Sequence, residues 1–244
     1  MKRHLLPKQA AKEYCETVKT TRNALLDKIS EAETFINQLD YQTLPLYARK
    51  IAEDVNPGLN LFLPYHTSLY VLCRISKPSL VVETGVERGS STYVILKALQ
   101  ANGNGRLVSV ELKEQVRLGR STTLPLALVV REGERNKDIS LDNWTLRLGN
   151  SLEALPKLKD EYCGKVNIFV HGSDHSYEVQ KAELAIAEGL VPKNGIVIVD
   201  RPDYNNFKAV NEMFSDNTKY AVTTLPEKSI HSSLAFSIVK KLPW

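Results

Sequence analysis

The chain has little of several things that would commit a protein to a special environment. Among 244 residues only three are cysteine, Cys15, Cys73 and Cys163. They are odd in number, far apart and without metal-ligand spacing, which argues against a disulfide framework or a thiolate metal site and leaves reduced thiols as the reading. Excess charge is also scarce: 32 Lys and Arg stand against 28 Asp and Glu, a formal net charge of +4. Without a basic stripe, that balance gives no reason to expect a nucleic-acid partner. No apolar run approaches the length that spans a bilayer. The start, Met1-Lys2-Arg3-His4-Leu5-Leu6-Pro7, has charge but no apolar stretch behind it, so neither a membrane partner nor a secretory leader is expected. The expectation is a cytoplasmic protein. What is present is a 43% hydrophobic composition, enough at this length for one full α/β domain with an extension.

From Gln9 to Leu39 the pattern is helical, with Val18, Leu25, Ala32 and Leu39 sevenfold apart and Ile29 and Ile36 between them. Arg22 interrupts this stripe. Packing on the chain's own domain is the expected use, and the stripe also allows a homodimer. A second helix is expected over Leu46 to Val55, stopped by Asn56-Pro57-Gly58, and a third over Leu61 to Ile75, carrying Tyr65, His66 and Tyr70. Residues 1–60 thus read as a helical extension and 61–244 as the main domain.

After Pro78, apolar β-branched runs alternate with helical periodicity, which calls for a parallel sheet joined by right-handed crossovers. Strands are expected at Leu80 to Glu83, Arg106 to Glu111, Thr145 to Leu148, Val166 to His171 and Ile196 to Asp200. Between them lie helices near Ser91 to Gln100, Lys113 to Arg120, Ser151 to Leu158 and Ser176 to Leu190. In the last, Val179, Ala182, Ile186 and Leu190 share one face while Lys181, Glu183 and Glu188 fall elsewhere. A helix at Asn206 to Phe214 and strands at Tyr220 to Leu225 and Leu234 to Val239 close the chain as an antiparallel hairpin at the sheet edge. The fold class is α/β, a Rossmann-like seven-stranded, mostly parallel sheet. Between Glu111 and Trp144 lie more residues than one crossover needs. Apolar Leu124 to Val130 and charged Arg131 to Asp138 are read as an inserted flap or contact surface, mobile in its charged half.

The first strand ends in Glu83-Thr84-Gly85-Val86-Glu87-Arg88-Gly89-Ser90-Ser91. Its glycine spacing is neither that of dinucleotide binders nor that of phosphate-gripping loops, and no lysine follows the second glycine. Gly85 and Gly89 suit a sharp turn close to a ligand, and Ser90 or Ser91 suits the cap of the following helix. Ligands in such sheets bind beyond the carboxyl ends of the strands, and the polar residues collect there: Glu83, Glu111, Gly149-Asn150, His171 and Asp200. Glu111, at the end of the second strand, stands where an acid can accept both ribose hydroxyls of a nucleoside cofactor.

The first-strand turn resembles motif I of class I S-adenosylmethionine-dependent methyltransferases. The most specific stretch, Ile168-Phe169-Val170-His171-Gly172-Ser173-Asp174-His175-Ser176-Tyr177-Glu178, is similar to a signature of methyltransferase family 24, relatives of catechol-type O-methyltransferases. Pro192-Lys193-Asn194-Gly195 leading to Asp200 is like the segment that ends that family's fifth strand. The resemblance runs from about residue 78 to 240. It implies S-adenosylmethionine as cofactor, with Glu83, Gly85, Gly89, Ser90 and Ser91 receiving its amino-acid end and Glu111 its ribose. Asn150 and Ser151 stand where the family has Gly-Asp-Ser against the adenine, and His171 borders the same ligand. Methyl transfer to a small-molecule acceptor, at oxygen, is the implied reaction, with His171, Asp174 and His175 as candidates for the base.

Departures from the family pattern bear on the mechanism. His171, Gly172 and Arg201 stand where metal-dependent relatives carry metal-binding groups, so no metal is expected, with Asp174 and Asp200 as the remaining candidates. Gly172, Asn150 and Arg201 at positions where the family has acids support an alternative, a methyltransferase-like module that binds without catalysing. A nicotinamide or nucleotide-sugar enzyme on a related sheet is the other alternative. Capping of the last long helix by Asp174, and of the helix from Ser151 by Asn150, are the bland readings of those two residues.

Overall fold

A computed structural model describes residues 8–54, 63–112, 127–227 and 234–243. The elements are α1 (Lys8–Glu33), α2 (Leu44–Asp54), α3 (Leu63–Ser76), β1 (Leu80–Thr84), α4 (Ser90–Asn102), β2 (Arg106–Glu111) and α5 (Leu128–Arg135). They continue with β3 (Trp144–Leu148), α6 (Ser151–Tyr162), β4 (Ile168–His171), α7 (Tyr177–Leu190), β5 (Ile196–Asp200), α8 (Lys208–Met213), β6 (Tyr220–Glu227) and β7 (Leu234–Lys241).

The strands form one seven-stranded sheet in the order β3-β2-β1-β4-β5-β7-β6, parallel except for β7, which runs antiparallel to both β5 and β6. The inner strands are apolar without alternation because both faces are covered. Val81 faces a core shared with α1 to α5, while Leu80 and Val82 face a second core formed with α6, α7 and α8. Building outward in opposite directions from β1 and β4 leaves a crevice between those two strands at their carboxyl ends.

The N-terminal helices join the first core and do not form a separate layer. Leu25, Ile29 and Ala32 of α1 and Leu44, Tyr47, Ala48 and Ile51 of α2 are all buried in it. The sevenfold stripe is therefore spent within the chain, at least over this part. Arg22, which breaks the stripe, reaches Asp138 at 3.3 Å. Glu33 accepts from Tyr70 Oη at 2.5 Å and pairs with Arg74 at 3.2 Å, so Tyr70 is turned toward α1. Among the described residues no helix is long and apolar enough to cross a membrane.

Three expectations are corrected. Helix α4 starts from Gly89, in the left-handed region at φ +85, with no side-chain cap, because Ser91 is drawn to Glu83. The charged stretch after Leu124 is no loose flap where it is described. Residues 128–135 are helix α5, whose Val129 and Val130 are buried and whose Gly133 lies against Tyr93, where a Cβ would come within 2.7 Å of ring atom Cδ2. Helix α7 buries Gln180, Glu183, Leu184, Ala187 and Leu190, so Glu183 lies on its inner face. The expected helix at 113–120, the turn at 56–58 and the bend of the closing hairpin lie outside the described residues.

Candidate active site

The turn after β1 is held from three sides. Gly85, at φ +81, donates its N–H to Val110 O at 2.9 Å, and its missing Cβ leaves room for the backbone of Gly172, whose own N–H donates to Thr84 O at 2.8 Å. Gly89 leaves room for the start of α5, where a Cβ would come within 2.7 Å of Val130 and 3.1 Å of Ala127. The same approach lets Ala127 N donate to Glu87 O and Val129 N to Arg88 O, both at 2.9 Å. The inserted helix is thus a buttress of the turn.

The two strand-end acids do different things. Glu83 is completely buried and accepts from Ser91 Oγ at 2.5 Å and from Thr92 Oγ1 and Ser109 Oγ, each at 2.7 Å. Burial pushes its carboxyl up, and the three hydroxyls pull it back. It lies beneath the turn. Glu111 lies at the cleft edge and accepts from the N–H groups of Val86 at 2.8 Å, Glu87 at 2.6 Å and Leu112 at 2.8 Å. One carboxylate thereby fixes the backbone of the turn on the neighbouring strand. Leu112 and Leu148, at the ends of β2 and β3, are large apolar side chains left 41% and 47% exposed on this rim. Asn150 caps α6, its Oδ1 accepting from Leu152 N at 2.8 Å, and Ser151 hydrogen-bonds to Glu183.

Beyond β4 and β5 the character changes. His171 is fully buried, neither ring nitrogen makes a well-formed hydrogen bond, and Nε2 lies 3.8 Å from Glu183 Oε2. Glu183 is occupied by Thr84 Oγ1 and Ser173 Oγ, both at 2.6 Å. The His175 ring lies 5.8 Å from that of His171, and its Nε2 is 3.9 Å from Asp200 Oδ2. Burial holds His171 down to about 4. Burial, with the charges of His171 and Arg201, holds His175 down to about 3. Burial pushes Asp200 up to about 7, against the pull of Arg201. Asp174 Oδ1 accepts from Ser176 N at 2.7 Å in a turn just ahead of α7, which holds its carboxyl low, and its charge acts on both His171 and His175. His171, His175 and Asp200 are thus brought together, with Asp174 close enough for its charge to act on both imidazoles.

This donor set does not fit a divalent cation. Arg201 sets a positive charge beside Asp200, and the described residues hold no cluster of three or more metal-binding side chains.

A family model described as a methyltransferase domain, that of family 24, matches residues 82–201, from the middle of β1 to the residue after β5. The chain carries a methyltransferase domain. Its fold is shared with solved methyltransferases at low identity. An O-methyltransferase from Bacillus cereus, in complex with SAH, is 16% identical, superposes with a TM-score of 0.58, and the match covers 89% of this chain and 99% of that one. TomG from Streptomyces achromogenes, an O-methyltransferase involved in tomaymycin synthesis and in complex with SAM, is 17% identical with a TM-score of 0.58, covering 84% of this chain and 92% of its own. A methyltransferase from Geobacter sulfurreducens gives 16%, 0.54, 88% and 97% in the same order. No curated protein sequence matches the chain. Within residues 82–201, sequence reasoning missed Glu183 beneath His171, the apolar rim of Leu112 and Leu148, and the burial that raises the Asp200 carboxyl. The buried apolar run before Asp200 was the available signal for the last.

Proposed function

We propose that the chain transfers a methyl group from S-adenosylmethionine to an oxygen of a small-molecule acceptor. The cofactor lies across the ends of β1, β2 and β3, and the acceptor over the ends of β4 and β5. The observation that carries this reading is a concentration of unsatisfied buried polar atoms at one place. His171 Nδ1 and Nε2, His175 Nδ1, Asp200 Oδ1 and Arg201 Nε all lack hydrogen-bond partners, and all lie at or just past the ends of β4 and β5. Buried polar atoms are normally paired, so this group is built to meet something else.

When bound, the cofactor supplies a methyl group already activated by its sulfonium. Gly85, Gly89 and Ser90 form the turn and helix start that receive its amino-acid end, while Glu83, through Ser91, holds that turn from below. Glu111 receives a ribose hydroxyl on the lone-pair position that its three backbone donors leave open. Leu112 and Leu148 sandwich the adenine edge, with Asn150 and Ser151 beside them, and His171 walls the reacting end. Aligning the acceptor against the methyl group contributes about 7–11 kcal/mol.

Asp200 removes the acceptor proton. Its affinity for protons is the only one in the group matched to neutral pH, and such matching favours proton transfer. His171 and His175, neutral there, orient the acceptor hydroxyl by hydrogen bonds, and Asp174 contributes by fixing the start of α7.

Calorimetry with S-adenosylhomocysteine followed by turnover of labelled donor with a panel of hydroxylated acceptors tests the reading. Binding with methylation of at least one acceptor supports it. Binding with no methylation would leave the non-catalytic module in its place, and no binding would remove the cofactor altogether.

A further inference from the structure

Among the unsatisfied atoms past β5, one belongs to a group with a permanent charge. Arg201 follows Asp200 directly, and its backbone is left-handed at φ +49. Asn206 and Phe207, which close the same short loop, are also left-handed, at φ +54 and +61. Residues with a Cβ avoid this region, and several together mark a loop whose side-chain directions matter more than local backbone energy. Arg201 N donates to Ala235 O at 3.0 Å, pinning the turn to β7. Its guanidinium carbon lies 5.5 Å from the ring centre of Tyr204, which in turn lies 6.2 Å from the His175 ring and is 65% exposed.

A guanidinium placed this way normally meets a carboxylate. Here the charge acts on Asp200, but among the described residues Arg201 makes no ion pair, and its Nε is buried without a hydrogen-bond partner. Asp203, two residues on, is engaged through Oδ1 with Ala235 N at 3.2 Å. The positive charge therefore sits beside the uncharged His175 imidazole with its Nε unmatched.

We propose that Arg201 anchors a carboxylate of the acceptor, so that the substrate is a small hydroxy acid whose carboxylate meets the guanidinium while its hydroxyl meets Asp200. The inference rests on the methyl-transfer reading above and names the acceptor class within it. A single negative charge fits better than a phosphate dianion, because Asp203 and Glu87 already act on Asp200 from this end of the cleft. The open face of Tyr204 favours a planar acid. In the reaction the acceptor O–H proton passes to the Asp200 carboxylate and the oxygen pair forms the new O–CH3 bond. The electrons of the broken C–S bond stay on sulfur, and the acceptor carboxylate is unchanged.

Calorimetry on protein saturated with S-adenosylhomocysteine compares 3,4-dihydroxybenzoate, caffeate and lactate with their neutral amides. At least one acid is expected to bind about tenfold or more tighter than its amide, and Arg201→Gln to abolish that difference. Arg201→Lys is expected to restore only part of it, since an ammonium lacks the fork. Amides binding as well as acids throughout, or Arg201→Gln weakening both alike, would overturn the proposal. Failure of the unaltered protein to bind S-adenosylhomocysteine would instead remove the reading beneath it.

Discussion

Gly85 and Gly172 meet backbone to backbone at the crevice between β1 and β4. A Cβ on Gly85 would overlap the Gly172 carbonyl and come within 2.7 Å of Ser173 N. Those are backbone atoms of a strand end and cannot swing aside as a flexible side chain does. Gly85→Ala is therefore expected to abolish measurable binding of S-adenosylhomocysteine and to lower Tm well beyond the cost of its positive φ. Gly103→Ala is the control: it too has positive φ, +70, but nothing lies within 4 Å of its Cβ. It is expected to cost about 1–2 kcal/mol, or roughly 2–8 °C in Tm, with cofactor affinity retained. Equal losses in the two variants would contradict the close approach.

Glu83 and Glu111 look alike in sequence and differ in use, and two substitutions separate them. Glu83→Ala leaves three hydroxyls, two of them on buried residues, without their acceptor and opens a cavity, an expected loss of about 3 kcal/mol or more. Thermal unfolding reads this directly. Glu111→Gln keeps the shape and an oxygen for the turn but loses the charge, with an expected tenfold weakening of cofactor affinity and a small change in Tm. The reverse pattern, with Glu83→Ala stable and Glu111→Gln binding normally, would show the roles exchanged.

The sheet was legible because its inner strands are runs of β-branched residues that end in polar ones: β2 and β5 fall at the expected bounds, and Glu111 and Asp200 at their tips. The site was legible only where a residue's role follows from its own element. Glu183 looked like surface charge because its partners, Thr84 and His171, are distant in sequence, with Thr84 separated from it by 99 positions. Helix α5 was missed because its docking depends on two absent side chains, at Gly89 and Gly133, which leave no periodic mark. The raised proton affinity of Asp200 arises from burial by several elements, of which the apolar run of β5 is the one local trace.

The N-terminal helices read as an extension, yet their side chains complete the main core. Leu25 is fully buried in the cluster that holds Val81 and Leu107 of the sheet. Leu25→Ala is expected to cost about 2–5 kcal/mol and to lower the single unfolding transition as a whole. A separate early transition, with the main one unmoved, would show α1 to be an independent layer.

The pH dependence of activity and of stability both pass through Asp200. As the acceptor of the substrate proton it must be ionised, so kcat/KM is expected to rise through an acid limb near 7. Were His171 the base, the limb would fall near 4. Asp200→Asn is expected to lower kcat by about 10²–10⁴ and to remove that limb. Stability follows with a definite sign. An unfolded Asp releases its proton near 3.8, whereas the native carboxyl holds it to about 7, so the native state binds more protons across that window. Its stability therefore falls as pH rises from about 4 to about 7 through this group. His171 and His175, held neutral by burial, act oppositely: they remove stability as pH falls below their ordinary 6.5. Asparagine at 200 removes only the first effect. The Tm of the variant relative to the unaltered protein is thus expected to climb from pH 5 to pH 8, and parallel curves would mean that Asp200 is ionised throughout and not the base.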